Sequence, residues 1–476
     1  MFIERLTGVV GKDNCLSRPE ELFTYGCDGL TLDAHRPSVV VLPKTTEEVA
    51  AVVKICLEFG RPFVPRGAGT GLSGGAIPLC GAVVICCSRM QDILEVDAEN
   101  RIAVVQPGVV NAHLSQAVGH LGLLYAPDPS SQQACTIGGN VAENSGGPHT
   151  LKYGTTTNHV LAVEMVLPDG STVRFGSRTG FAAGYDLVGA AVGSEGTLGI
   201  VTEVTVRLVA VPEAVETILA IFDDVPAACR LVGRIIRSGM VPAALEVVDQ
   251  RTIRAVEASV YAAGLPTDAG AVLIIEIDGA ACEMETQLAR IRDLAQGEGV
   301  RDLRIARDAK ERALFWRARK GAFGAMGRLA PDLYVHDAVV PRASLPEVLA
   351  EICAIGDRYR LKLSNVFHAG DGNLHPNISF DRRDADELTR VLAAGREMLE
   401  LCVRVGGVLT GEHGVGTEKR DYMGMLFDPE DLDAMRRLRD AFNPDGMCNP
   451  GKVIPTTRAC TESNPNARGY DAVPLE

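Results

Sequence analysis

Short β-branched runs bounded by proline or glycine alternate with amphipathic stretches along the first hundred residues. Pro37-Ser-Val-Val-Val-Leu-Pro43 is closed by prolines at both ends, the pattern of a buried strand. Thr45-Thr-Glu-Glu-Val-Ala then opens a helix, with either threonine able to cap it and the acids suited to its first turn. Apolar residues continue at helical spacing through Val49, Val52, Val53, Ile55 and Cys56 until Gly60 stops the pattern. Phe63-Val64, Ala82-Val-Val-Ile-Cys86 and Ile102-Ala-Val-Val-Gln106 read as further strands, so this part is α+β. From Pro107 to about Pro212 runs a second stretch with its own glycine clusters. Beyond Glu213 those clusters stop. Thr217-Ile-Leu-Ala-Ile-Phe222 and Ala271-Val-Leu-Ile-Ile-Glu-Ile277 alternate with amphipathic helices over 227–238 and 282–297. That order predicts an antiparallel sheet with helices packed on one face. The end, Thr456 to Glu476, has no periodicity and is expected to be a loosely held tail.

The chain has 476 residues, too many for one ordinary core, so two or three domains are expected. Its 46% hydrophobic and 23% charged content is ordinary for a globular protein. A net charge of -14 argues against a nucleic-acid or anionic-membrane surface. Thirteen cysteines are scattered with no C-x-x-C, so an iron–sulfur cluster or zinc ribbon within the chain is not expected. Reduced, buried thiols fit a cytoplasmic protein. The start, Met1-Phe-Ile-Glu-Arg-Leu, lacks the basic and apolar regions of a signal peptide, and no run is long enough for a membrane span.

Chemistry concentrates in His368-Ala-Gly-Asp-Gly-Asn-Leu-His375 and, downstream, Gly411-Glu412-His413-Gly414, which together hold three of the nine histidines. Two imidazoles and a carboxylate, His368, His375 and Glu412, suit a divalent transition metal with open coordination positions. His413 beside them is placed to act as a base on a metal-bound hydroxyl. Gly370 and Gly372 allow a sharp turn between the histidines, and Asp371 and Asn373 are candidate partners for the ligands. Such a metal would serve a hydrolase as well as a dehydrogenase, and the glycine loops decide between them. Gly69-Thr-Gly71-Leu-Ser-Gly74 fits G-x-G-x-x-G, yet Gly75-Ala-Ile-Pro78-Leu-Cys-Gly81 follows it and cannot run a helix, so a nicotinamide site fails on context. The loop instead suits a nest of backbone N–H groups around phosphate. Two more loops of small residues, Cys135 to Gly147 and Gly193 to Thr202, suggest one long ligand approached from several sides, such as FAD.

Pro65-Arg-Gly-Ala-Gly-Thr-Gly-Leu-Ser-Gly-Gly75, Ile137-Gly-Gly-Asn-Val-Ala142 and Val192-Gly-Ser-Glu-Gly-Thr-Leu-Gly-Ile-Val-Thr202 resemble the FAD domain of the vanillyl-alcohol oxidase/p-cresol methylhydroxylase (PCMH) flavoproteins. The histidine motifs and Phe442-Asn-Pro-Asp-Gly-Met-Cys-Asn-Pro-Gly-Lys452 are similar to its FAD-linked D-2-hydroxyacid dehydrogenase branch, with the nearest likeness to the D subunit of glycolate oxidase and to D-lactate dehydrogenase. The resemblance runs from about residue 20 to 454. It implies an α+β fold: a two-subdomain PCMH-type FAD-binding domain over 1–212, then a cap domain over 213–420 with an antiparallel sheet covered by helices and the metal site. The segment 421–455 would return to the FAD domain.

Non-covalent FAD is implied, with His149 the one candidate for a covalent link and otherwise a loop histidine. The FAD contacts carried over are Pro65, Arg66, Gly67, Ala68, Gly69, Thr70, Gly71, Ser73 and Gly74; Pro129, Ser130, Thr136, Gly138, Gly139, Asn140, Ala142, Asn144 and Gly147; and Glu195, Gly196, Gly199, Ile200, Val201 and Asn449. The metal expected is zinc or manganese. A carboxylate anchor should be an arginine, whose fork makes two parallel hydrogen bonds. Within Phe315-Trp-Arg-Ala-Arg-Lys-Gly-Ala-Phe323 the resemblance selects Arg319, with Arg317 as its alternative and Lys320 a solvated charge. Tyr334 and Asn443 are also placed at the substrate. Leu333-Tyr-Val335 lacks the extra cation of dicarboxylate-specific relatives, which favours glycolate or D-lactate over D-2-hydroxyglutarate. A metal-independent flavoprotein oxidase is the other alternative. The resemblance also implies partner subunits, one an iron–sulfur electron carrier, and a cytoplasmic protein held at the inner membrane through them.

Overall fold

The computed structural model describes residues 1–30, 32–181 and 183–455, so the expected tail lies outside the described residues. The chain separates into two units: Met1–Gly146, Thr155–Val211 and the segment from Glu412 form the first, and Gly147–Gly154 with Pro212–Gly411 form the second. Against boundaries read from sequence at 212 and 420, the chain changes unit at 211/212 and 411/412.

The first unit holds two main sheets. Strands β1 (Cys15–Leu16), β2 (Val39–Val41), β3 (Phe63–Arg66) and β4 (Val83–Cys86) form a sheet in the order β1-β2-β4-β3, with β4 parallel to both β2 and β3. Val39, Val40, Val41, Val83, Val84 and Ile85 are completely buried, because a parallel sheet covered on both faces needs continuous apolar runs. Helix Thr46–Glu58 turns Val49, Val52, Val53 and Cys56 into that core, and the Thr45 hydroxyl caps it by accepting the Glu48 N–H. The second sheet is antiparallel, built from β5 (Ile93–Asp97), β6 (Ile102–Val105), β8 (Val160–Val166), β9 (Thr172–Gly176) and β10 (Ile200–Arg207) in the order β5-β6-β10-β8-β9. A small pair, β7 (Leu123–Leu124) with β11 (Val209–Ala210), accompanies it. Residues 67–78, which follow β3, contain no helix, as the proline and glycines there require.

The second unit is one antiparallel sheet. Its strands are β12 (Ala214–Phe222), β13 (Ala244–Asp249), β14 (Ala271–Gly279), β15 (Val300–Ile305), β16 (Asp332–Val335), β17 (Ala338–Val339), β18 (Lys362–His368), β19 (Asn373–Leu374) and β20 (Pro376–Phe380). The main path runs β15-β12-β14-β13-β18-β19-β17, and β20 joins β18 to β16. Helices over the sheet were expected on one face, and here the structure differs. Leu219, Ile221, Val248, Val272 and Ile274 share a core with Ile253 and Val256 of helix Gln250–Glu257 and with Phe315 and Ala318 of helix Ala309–Lys320. Their alternates Ile218, Ala220, Leu245, Val247, Leu273 and Ile275 are just as buried, and helix Val225–Arg237 lies against β12, β13 and β14. Both faces are covered, which is why 271–275 reads as a continuous apolar run rather than an alternating one.

Candidate active site

The first of these two faces ends in a polar row. On β12–β14 Thr217 lies opposite Glu276, and on β13–β18 Glu246 lies opposite His368. Directly opposed residues on antiparallel strands point to the same side, so pairing register alone brings Glu246 and His368 together. Helix Ala309–Lys320, capped by Asp308, adds Trp316 and Arg319 one turn apart. Trp316 Nε1–H donates to Glu276 Oε2 at 2.5 Å and Arg319 Nε–H donates to Glu246 Oε2 at 2.6 Å.

His368 and His375 flank the β18–β19 hairpin. Their rings meet edge to face with centroids 5.1 Å apart, and a ligand nitrogen of each lies within 4.8 Å of the other. Both are buried. His368 Nδ1 is 2.7 Å from Glu246 Oε1, and His375 Nδ1 is 3.1 Å from the His336 carbonyl. Each acceptor assigns the proton to Nδ1 and the lone pair to Nε2. Asp337 is completely buried and accepts the Thr410 hydroxyl at 2.5 Å and the Gly411 N–H at 2.9 Å. Glu412 and His413 are the next residues in the chain and open the last segment of the first unit. Of the other predicted groups, Arg319 is buried with Nη1 lacking a protein partner, whereas Arg317 is exposed and donates to the Ala262 carbonyl. Tyr334 packs its ring 4.4 Å from that of His336. His149 belongs to this unit too, with Nε2 2.9 Å from Glu276 Oε1 and its ring 5.2 Å from Trp316.

In the first unit the glycine loops are shaped by close approach. Gly196 has φ +67°, and a Cβ there would meet Pro65 Cγ at 2.4 Å. Gly67 sits against Thr136, whose hydroxyl caps helix Ile137–Glu143 by accepting the Gly139 N–H. Several side chains expected on the cofactor hold the loops themselves. Arg66 donates to the Cys27 carbonyl, Asn140 Oδ1 accepts from Asn111, Asn144 Oδ1 accepts the Thr157 N–H, and Ile200 is in the apolar core. Gly147 groups with the second unit. Asn443, expected at the substrate, donates to the Thr197 and Cys448 carbonyls and accepts the Cys448 N–H, a structural tie. Glu195 adopts φ +50° and accepts the Val415 and Gly416 N–H groups at 2.7 and 2.6 Å. Asn449 donates to the carbonyls of Gly75 and Glu195, binding the C-terminal segment to two of the loops.

The model for FAD-linked oxidases, C-terminal domain, matches residues 211–453, and that for the FAD binding domain matches 37–176. The chain is 46% identical over 447 residues to "Glycolate oxidase subunit GlcD" of Escherichia coli K12, covering 94% of this chain and 89% of that one. This chain belongs to the FAD-linked oxidase family. It is also 41% identical to GlcD of Bacillus subtilis, covering 95% and 96% of the two chains, and 34% identical to the D-lactate dehydrogenase of Anaerostipes hadrus, covering 91% of each. Substrate-bound p-cresol methylhydroxylase has the same fold, with TM-score 0.83 at 19% identity over 96% of this chain and 97% of that one. The protein is an FAD-linked oxidoreductase with the PCMH-type fold, and among its described residues no helix is long and apolar enough to cross a membrane.

The residues of this oxidoreductase fit both groups that the family and the sequence imply. For FAD, Ser73 Oγ and Asn449 Oδ1 are buried without a protein partner, and around Gly71 the space is open, its nearest neighbour lying 4.0 Å from where a Cβ would stand. For a divalent metal, both imidazoles carry the Nδ1 partners that orient histidine ligands. Sequence reading missed Glu246, Asp337 and a buried acid cluster in the first unit; for Glu246 the available signal was a lone acid inside an apolar run. In that cluster burial, with Glu195 and Asp28 adding to it, drives the Glu143 carboxyl well above the usual range. Burial raises Glu195 as well, against the two N–H groups it accepts. Asp28 is pushed up to about 6 and Lys452 down to about 8, burial again the main cause.

Proposed function

We propose that this chain oxidises a small D-2-hydroxy acid, glycolate or D-lactate, to the 2-oxo acid and passes the electrons to partner subunits, one of them an iron–sulfur carrier. The observation carrying this reading is the pair His368 and His375, buried together and each with Nδ1 held by an acceptor. Relatives named for glycolate and D-lactate oxidation support it. When bound, FAD supplies the hydride acceptor and a divalent metal supplies the Lewis acid that acidifies the hydroxyl. His368, His375 and Glu412 hold that metal. Arg319 presents its unpartnered Nη1 to the substrate carboxylate, and His413 takes the hydroxyl proton. Asn449 and the glycine loops hold the flavin. Partner subunits carry the electrons onward, consistent with relatives named as subunits and with a chain that has no C-x-x-C.

The test is a panel of glycolate, D-lactate, L-lactate and D-2-hydroxyglutarate with a dye acceptor, run before and after chelation. Turnover of glycolate or D-lactate that disappears with chelator and returns with zinc or manganese is expected. Activity indifferent to the chelator would mean a metal-independent oxidase, and preference for D-2-hydroxyglutarate would move the substrate class.

A further inference from the structure

Glu246 is completely buried on β13, between Leu245 and Val247 along the strand and opposite Ile274 on one side and His368 on the other. An isolated carboxylate there would be costly, so its partners explain its presence. A carboxylate that served only to neutralise Arg319 would turn both oxygens to one edge of the guanidinium. Glu246 instead divides them. Oε2 accepts Arg319 Nε–H at 2.6 Å, and Oε1 lies 2.7 Å from His368 Nδ1. Arg319 Nη2 stands 3.5 Å from the same His368 nitrogen, but a guanidinium only donates, so the carboxylate is the acceptor for the proton on that nitrogen. Arg319 Nη1 keeps no protein partner although the residue is buried.

We infer that Glu246 is a positioning residue that sets two groups of the active site at once: it fixes the His368 lone pair at Nε2 for the metal, and it turns Arg319 so that Nη1 is available to the substrate carboxylate. The inference rests on the function proposed above and adds that metal affinity and substrate affinity are coupled through one side chain. Register makes the coupling specific. Glu246 opposes His368 across β13–β18, while Arg319 comes from the helix covering that face, so neither partner can shift without the carboxylate following.

An amide at this position keeps the size but cannot accept from both partners. In Glu246→Gln either the amide NH2 faces Arg319 Nε–H, or it donates to His368 Nδ1, which moves that ring's proton to Nε2 and removes the lone pair from the metal. Glu246→Asp keeps the charge and shortens the reach, so it should recover part of the loss and serves as the readout if the amide variant does not fold. The experiment titrates zinc into full-length, flavin-loaded protein against a chromogenic chelator and measures KM for glycolate and D-lactate. Zinc Kd should rise about 10- to 100-fold in Glu246→Gln, with KM rising too, flavin content unchanged and partial recovery in Glu246→Asp. Zinc binding as tight as the parent's in both variants would overturn the inference and leave the proposed function standing. A parent chain that binds no zinc or manganese would overturn both.

Discussion

Arg319 is a buried cation whose Nε is taken and whose Nη1 is not, and that asymmetry makes its role testable. Arg319→Lys keeps the charge but loses the planar fork. KM for a monocarboxylate should rise about ten- to a hundredfold, the value of a hydrogen bond to a charged group. Arg317→Ala should leave KM within about twofold, as for an exposed residue away from a site. Steady-state kinetics on the two variants decides between them, and a reversed result moves the anchor to Arg317. Asp28 tests the buried charge of the first unit. With its folded-state pKa raised to about 6, the stability it contributes is full below the unfolded value near 4 and is lost as pH rises through 6. Asp28→Asn has no such slope, so its melting temperature should gain on the parent's between pH 4.5 and pH 7; a constant difference would show that Asp28 titrates normally. The histidines were legible in sequence because their spacing is local. Glu246 was not, because its meaning comes from a partner 122 residues away that only strand register supplies.

The β18–β19 hairpin shows what an element adds to its residues. Gly370 and Gly372 were both read as turn glycines, but they act differently. Gly372 has φ +89°, and a Cβ there would meet the Val340 carbonyl at 2.3 Å, whereas Gly370 gives room to Leu151, 2.6 Å from where its Cβ would stand. Gly406 shares the left-handed backbone, φ +85°, with nothing near its missing Cβ. Comparing Gly372→Ala with Gly406→Ala therefore separates a close approach from backbone strain alone. Both should destabilise by about 1 kcal/mol or more, with Gly372→Ala the larger loss and the one that also weakens zinc binding. Equal melting temperatures would show that the backbone at Val340 yields. Strand and helix positions were largely legible at this scale, since apolar spacing and caps are local signals. The number of covered faces was misread: the unbroken apolar run 271–275 already stated that both sides of β14 are buried.

At the scale of the whole molecule, the flavin loops belong to the first unit and both imidazoles to the second, while Glu412 and His413 follow the last residue of the second unit in the chain. The expected separation of roles is therefore sharp. FAD retention should depend on the loops around Gly71, Gly196 and Asn449, and metal retention on the hairpin and Glu246. Neither should depend on His413 if its work is proton transfer. His413→Ala should lower kcat by about two to four orders of magnitude while flavin and metal contents match the parent. Anaerobic mixing with substrate sharpens this, because flavin bleaching follows the first half-reaction before any partner or dye takes electrons. If His413 removes the hydroxyl proton, bleaching must slow by at least the factor by which turnover falls. Parent-like bleaching with slow turnover would place its role after flavin reduction, and parent-like values for both would assign the base to another residue.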